Sequence, residues 1–153
     1  MVEKRKLAAG LVGALLLYGA GGESATAGEL ERALDYRQGV MNVFNWNMKS
    51  MSDMMKGKKP FDSAVFARRA DDLAKAASLD LLAGFPPDSD QGETDARPDI
   101  WFDFEDFSQK LVDLREASQA LSKAVASGDK AAIGDALGKT GKRCKACHEN
   151  YKE

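Results

Sequence analysis

Residues 133–151 read Ile-Gly-Asp-Ala-Leu-Gly-Lys-Thr-Gly-Lys-Arg-Cys-Lys-Ala-Cys-His-Glu-Asn-Tyr. Ile133, Leu137, Thr140, Cys144, Cys147 and Tyr151 recur at spacings of three and four, which places them on one line of an α-helix, the line that faces a core. The two cysteines continue that seam. Similar spacing runs through the rest of the chain. One heptad stripe takes in Leu30, Leu34, Arg37, Met41, Phe44, Met48, Met51 and Met55, broken only by the charge of Arg37. Its helix should stop near Gly57, because Lys58-Lys59-Pro60 does not continue it comfortably. Asp62 is a good N-cap for a second helix reaching about Leu82, with Phe66, Ala70, Leu73 and Ala77 on one face. Residues 84–99 are turn formers and read as one long irregular crossover. A third helix carries Phe104, Phe107, Leu111, Leu114, Ser118, Leu121 and Val125, and Ser127-Gly128-Asp129 ends it and caps the fourth. No run alternates with period two. The expected fold is therefore all-α, an antiparallel four-helix bundle with short links inside each helix pair and the long link between pairs.

Cys144-Lys145-Ala146-Cys147-His148 contains the only two cysteines and the only histidine of the 153 residues. The C-x-x-C-H spacing supplies two thiols to add across the vinyl groups of a haem and a neutral imidazole to bind its iron. A structural zinc site wants four ligands, and no second pair is present. A thioredoxin-like redox pair expects a strand leading into the motif, where this chain has a helix. A plain disulfide leaves His148 unexplained. One covalent haem c, attached through Cys144 and Cys147 near one end of the bundle, is the expectation, and the seam position of the thiols puts it inside. Gly134, Gly138 and Gly141 share the same helix, each costing about 1 kcal/mol against alanine. They suit either a close approach to a flat group or a helix, or a locally weak helix rescued by packing.

The beginning of the chain fits that chemistry. Lys4, Arg5 and Lys6 precede an apolar or small stretch from Leu7 to Ala20, and Ala25-Thr26-Ala27 is a small-x-small cleavage site, so residues 1–27 read as a secretory signal peptide. The stretch is short and glycine-rich for the alternative, an uncleaved membrane anchor. A mature domain of 28–153 has 126 residues, enough for one domain with a core. Loss of the leader removes three basic and two acidic residues and leaves 19 basic against 22 acidic. Such a balance offers no footprint for nucleic acid and none for a membrane surface after cleavage. The periplasm is the expected location.

The chain resembles the cytochromes c′. Its marks are Tyr36-Arg37-Gln38, the link Gly57-Lys58-Lys59-Pro60-Phe61-Asp62, Phe85-Pro86-Pro87 followed by Glu93 to Trp101, and Ser127-Gly128-Asp129 leading to the Cys144 to Lys152 motif. The resemblance implies a periplasmic, often homodimeric haem protein with His148 as proximal iron ligand and Cys144 and Cys147 as thioether anchors. It implies five-coordinate, high-spin iron whose sixth side faces an apolar pocket formed by the first helix and admits nitric oxide or carbon monoxide. Lys152 matches the basic position after the motif on the proximal side, and Arg37 and Gln38 match the pair near the propionates. The seam position of Arg37 points the same way, because a charge there wants a partner such as a propionate, unless its stem packs inside while its head reaches water.

Met41, one turn after Arg37, stands where the family places the side chain covering the distal face. As a thioether ligand it would give a low-spin, six-coordinate electron carrier; uncoordinated, it would wall an open pocket. Met48, Met51, Met54 and Met55 follow on the same helix, and methionine is a common core filler. Peroxidase or nitrite chemistry would call for a distal histidine or arginine; no second histidine is present and Arg37 is the only cation near the expected distal region, so no enzymatic activity is expected. Asp88, Asp90, Glu93 and Asp95 could steer a basic redox partner, whose identity the sequence does not give.

Overall fold

The computed structural model describes residues 25–153, so the expected leader lies outside the described residues except for its last three. Helix α1 spans Ala27–Met55 and begins at a capping box: the Thr26 hydroxyl accepts from the Glu29 amide, while the Glu29 carboxylate accepts from the Thr26 amide at 2.7 Å. The expected cut before Gly28 falls inside this box. Two stripes run along α1 where the sequence suggested one. Arg37, Val40, Phe44, Asn47, Met51 and Met54 are buried. Met41, Met48 and Met55 form a second line at heptad spacing; Met41 and Met48 are half-buried and Met55 is exposed. The reason is geometric, since α1 has a neighbour on each side and needs an apolar line for each.

Helix α2, Ser63–Ala76, starts as expected on Asp62, whose carboxylate accepts from the Val65 amide at 3.0 Å. It ends six residues before Leu82, at Ala76, and a 3-10 turn over Leu81–Gly84 follows. The turn brings Gly84 against α1 so closely that a Cβ there would sit 2.8 Å from Arg37 Cβ and 3.3 Å from the Ala33 carbonyl oxygen. A helix continued to Leu82 would carry this backbone away from α1. The crossover is also less irregular than its composition suggests. Pro98 presets the first turn of a short helix α3, Asp99–Phe102, which buries Ile100. Ala96 pairs with Lys152 in a single antiparallel bridge.

Helix α4 spans Phe104–Ser127 and ends where Gly128 takes φ +73, the left-handed conformation glycine adopts without strain. Helix α5 spans Lys130–Tyr151, capped by the Asp129 carboxylate on the Ala131 and Ala132 amides. The four long helices form a bundle in which α1 packs on α2, α2 on α4 and α4 on α5, while α1 and α5 touch at few points. Phe66, Leu73, Met51 and Leu121 are fully buried at its centre. Thr140 turns its hydroxyl both to the Ala136 carbonyl in its own helix and to the Ala117 carbonyl of α4, which ties the well-packed pair together.

The glycine row of α5 has a partial explanation in the thin α1–α5 seam. A Cβ on Gly134 would stand 3.3 Å from the Met55 methyl and one on Gly141 3.9 Å from the Met48 methyl, so these two glycines seat methionine tips. Gly138 is exposed, and nothing lies within 4 Å of the place a Cβ would take. Gly138→Ala should raise stability by up to about 1 kcal/mol through helix propensity alone. Gly84→Ala should lower it by about 1–3 kcal/mol because the new methyl meets Arg37 Cβ and α1 backbone. Urea unfolding of the haem-loaded protein reads both.

Candidate haem site

The motif occupies the last two turns of α5, where Cys144 and Cys147 lie three residues apart on its core side, half-buried and packed against the hydrophobic core. Both thiols are free. Burial pushes both thiols above the ordinary range, Cys147 to about 11, before any group is attached to them. His148 follows on the exposed side. Its imidazole is held below its usual value, first by partial burial and then by Lys152, which favours the neutral form that binds metal. Among the described residues no group of three or more His, Cys, Asp or Glu side chains could hold a metal ion. The donor set fits a c-type haem: two neutral thiols on one helical face and a neutral imidazole next to the second.

The contacts across the α1–α5 seam set its register. Met55 meets Gly134 and Met48 meets Gly141, seven residues back on one helix for seven forward on the other. Met41 lies one heptad further along the same line of α1. Val40 and Phe44 belong to the other, buried stripe of α1.

Arg37, Gln38 and Lys152 all engage the crossover segment. Arg37, which is 2% exposed, donates from Nη1 to the Gly84 carbonyl and the Ser89 hydroxyl, each at 3.0 Å, and from Nη2 to the Ser89 carbonyl at 2.7 Å and Thr94 Oγ1 at 3.0 Å. Its guanidinium also lies over the rings of Phe85 and Trp101, 4.9 and 5.7 Å from their centroids. No carboxylate among the described residues lies within ion-pair distance of it. Gln38 Nε2 donates to the Glu93 carbonyl at 2.7 Å, and Lys152 Nζ pairs with Asp95 at 2.6 Å. The snorkelling alternative for Arg37 is thereby excluded, since its head is buried with its stem.

Two residues at this end escaped the sequence reading. Arg97 donates its amide to the Tyr151 carbonyl at 3.0 Å and Nη1 to the Glu149 and Asn150 carbonyls at 3.4 Å each, satisfying acceptors that the last turn of a helix leaves open. Tyr151 was legible only as a seam position, yet its hydroxyl donates to Asp106 of α4 at 2.6 Å while its ring stacks edge-on against Phe107. No local pattern in the sequence announces either long-range pairing.

Paired thiols and a neutral imidazole at the end of a four-helix bundle define a haem protein of the helical c-type class. The family model for cytochrome c′ matches residues 32–152. Cytochrome c′ of Halomonas halodenitrificans is 35% identical over 130 residues, covering 81% of this chain and 98% of that protein. The structure of cytochrome c prime from Shewanella frigidimarina superposes with a TM-score of 0.79 at 41% identity, covering 82% of this chain and 97% of that one. A nitric oxide complex of a leucine-to-isoleucine variant of cytochrome c prime from Alcaligenes xylosoxidans superposes at 0.73 with 33% identity, covering 82% and 97%. The chain belongs to the cytochrome c′ family, and its cofactor is covalently attached haem c.

Asp106 gives the site an acid-sensitive tie. The Tyr151 hydroxyl, and then Lys110, hold its carboxyl below the usual carboxylate range. A carboxyl depressed on folding adds stability above its unfolded value, near pH 4, and loses it as pH falls through the folded value. In Tyr151→Phe this contribution shrinks, so the fall in stability between about pH 5 and about pH 2 should become shallower than in the parent, measured by urea unfolding.

Proposed function

We propose that this cytochrome works in the periplasm as an electron carrier whose iron takes His148 on the proximal side, is otherwise five-coordinate and high-spin, and binds nitric oxide or carbon monoxide on the side facing α1. The observation that carries the reading is the C-x-x-C-H motif on the last turns of α5 in a bundle of this family, with Met41 on the heptad line of α1 whose Met48 and Met55 reach α5. Bound haem supplies one-electron chemistry and an iron position open to a diatomic ligand. The chain's part is to hold and enclose it. Cys144 and Cys147 anchor the group on α5, and Arg37 and Gln38 stand at the propionate edge with Lys152 on the proximal side. A buried cation whose hydrogen bonds all go to neutral oxygens, with Asp90 the carboxylate that acts on it through space, suits a propionate, which would share a guanidinium already engaged by the crossover. The nitric oxide complex of the Alcaligenes xylosoxidans relative supports gas binding. No enzymatic turnover is assigned, because the only histidine of the chain is the proposed proximal ligand.

The same placement of Met41 favours a second reading, in which its sulfur occupies the sixth position and the protein is a low-spin electron carrier. Absorption spectra of the ferric and ferrous protein, with and without carbon monoxide, separate the two. The expected result is a broad high-spin spectrum that shifts promptly with gas and stays high-spin in Met41→Ala, with faster gas binding. Split low-spin bands that are lost in Met41→Ala would establish the second reading.

The outer face of α1 and α2 is proposed to receive a second copy of the chain. Trp46 is 66% exposed, Val43 44% and Leu79 52%, and Val43 and Trp46 line a groove of about 500 Å³ with Asn42, Asn47, Arg69 and Lys75. Isolated apolar side chains are ordinary on a surface, whereas a cluster such as Val43 and Trp46 on α1 with Leu79 just past the end of α2 suits an interface. Trp46→Glu should convert a dimer to a monomer in sedimentation velocity while leaving the haem spectrum unchanged.

A further inference from the structure

The crossover touches both sides of the bundle at the haem-bearing end, and its contacts run in series. On α1, Arg37 holds the Gly84 carbonyl, both oxygens of Ser89 and the hydroxyl of Thr94. Thr94 Oγ1 also accepts from the Ala96 amide at 3.1 Å, so one oxygen joins the segment gripped by α1 to the segment that follows. That following segment lies against the end of α5. Ala96 pairs with Lys152, the Arg97 amide reaches the Tyr151 carbonyl, and the Glu153 amide reaches the Asp95 carbonyl at 2.9 Å. Arg97 Nη1 takes the Glu149 and Asn150 carbonyls, and Lys152 Nζ takes Asp95. The His148 carbonyl accepts from the Lys152 amide inside this clamp.

We propose that residues 84–97 form a strap through which Arg37 positions His148: the guanidinium fixes the near end of the strap on α1, Thr94 passes that constraint to Asp95, Ala96 and Arg97, and these hold the last turn of α5 from which the imidazole projects. Arg37 is thus a positioning residue that acts on the iron through the backbone, in addition to any charge it presents to a propionate. The physical basis is the thin α1–α5 seam. Direct contacts between those helices are few, and the strap bonds to both of them at this end. An α5 terminus without it would have its final carbonyls open to water and would fray, as unpaired helix ends do. The proposal rests on the reading of His148 as proximal ligand.

The test uses the haem-loaded protein in four forms beside the parent: Arg37→Lys, Thr94→Val, Tyr36→Phe and His148→Gly. Two readouts are taken, amide hydrogen exchange and the iron–histidine stretching band of the ferrous protein. Thr94→Val removes the linking oxygen while leaving Arg37 intact, so it carries the test if Arg37→Lys does not fold. Tyr36→Phe removes only a bond from α1 to the Asp80 carbonyl, outside the strap. In Arg37→Lys and in Thr94→Val, exchange at the Arg97 and Glu153 amides should speed roughly tenfold or more, the equivalent of losing one to two hydrogen bonds. The iron–histidine band should shift in the same two variants, and Tyr36→Phe should move neither. Faster exchange confined to 84–94, with Arg97, Glu153 and the band unchanged, would overturn the strap. A band shift in Arg37→Lys with Thr94→Val silent would also overturn it and assign Arg37 a direct action at the haem edge. Persistence of the parent band in His148→Gly would remove the proximal-ligand reading, and the positioning role with it, whatever the exchange data show.

Discussion

A guanidinium buried on α1 organises one whole end of this molecule. Taking a charge out of water costs several kcal/mol unless its hydrogen bonds are replaced, and Arg37 replaces them with four oxygens drawn from the crossover and with the faces of Phe85 and Trp101. The acceptors gain as much as the donor. Gly84 and Ser89 are themselves buried without a ladder, and buried backbone oxygens need partners. Once these bonds form, the aromatic side chains have fixed places. Trp101 donates to the Pro86 carbonyl, and Phe85, Phe107 and Tyr151 stack in succession toward the haem-bearing helix. The long link between helix pairs is therefore a structural member with its own small core.

The bundle divides its packing unevenly, and function follows the division. α2, α4 and the inner stripe of α1 make a conventional close-packed interior around Phe66, Leu73, Met51 and Leu121. The outer stripe of α1 meets α5 through methionine tips resting on glycine backbone. The helix bearing the thiols and imidazole is thus held firmly on its α4 side and lightly on its α1 side. A flat cofactor on α5 needs room on the lightly held side.

Much of this was legible in the sequence because it depends on local spacing. Asp62, Asp129 and Gly128 announce helix ends by short-range chemistry, and the three-four repeats of α4 and α5 predict burial of Phe107, Leu121, Ile133 and Leu137 correctly. The motif at 144–148 carries its meaning in five residues. Errors arose where the controlling contact is distant. The early end of α2 depends on Gly84 meeting α1, and the single heptad stripe read along α1 merged two lines because the sequence of one helix does not count its neighbours. Arg97 and Tyr151 escaped notice for the same reason, since their partners stand about fifty positions away. For Arg37 the pattern pointed to a propionate or to a head reaching water, and it could not supply the loop oxygens that the guanidinium meets, because those stand about fifty positions away.

The methionine-on-glycine seam also has a mechanical meaning. A thioether side chain has three soft rotors and a polarizable tip, and glycine offers no side chain to push against, so the spacing between α1 and α5 is governed by a weak spring beside the stiff contacts elsewhere in the bundle. Along this line the two helices are spaced by side chains that can change shape, where two rows of branched side chains would fix a single separation.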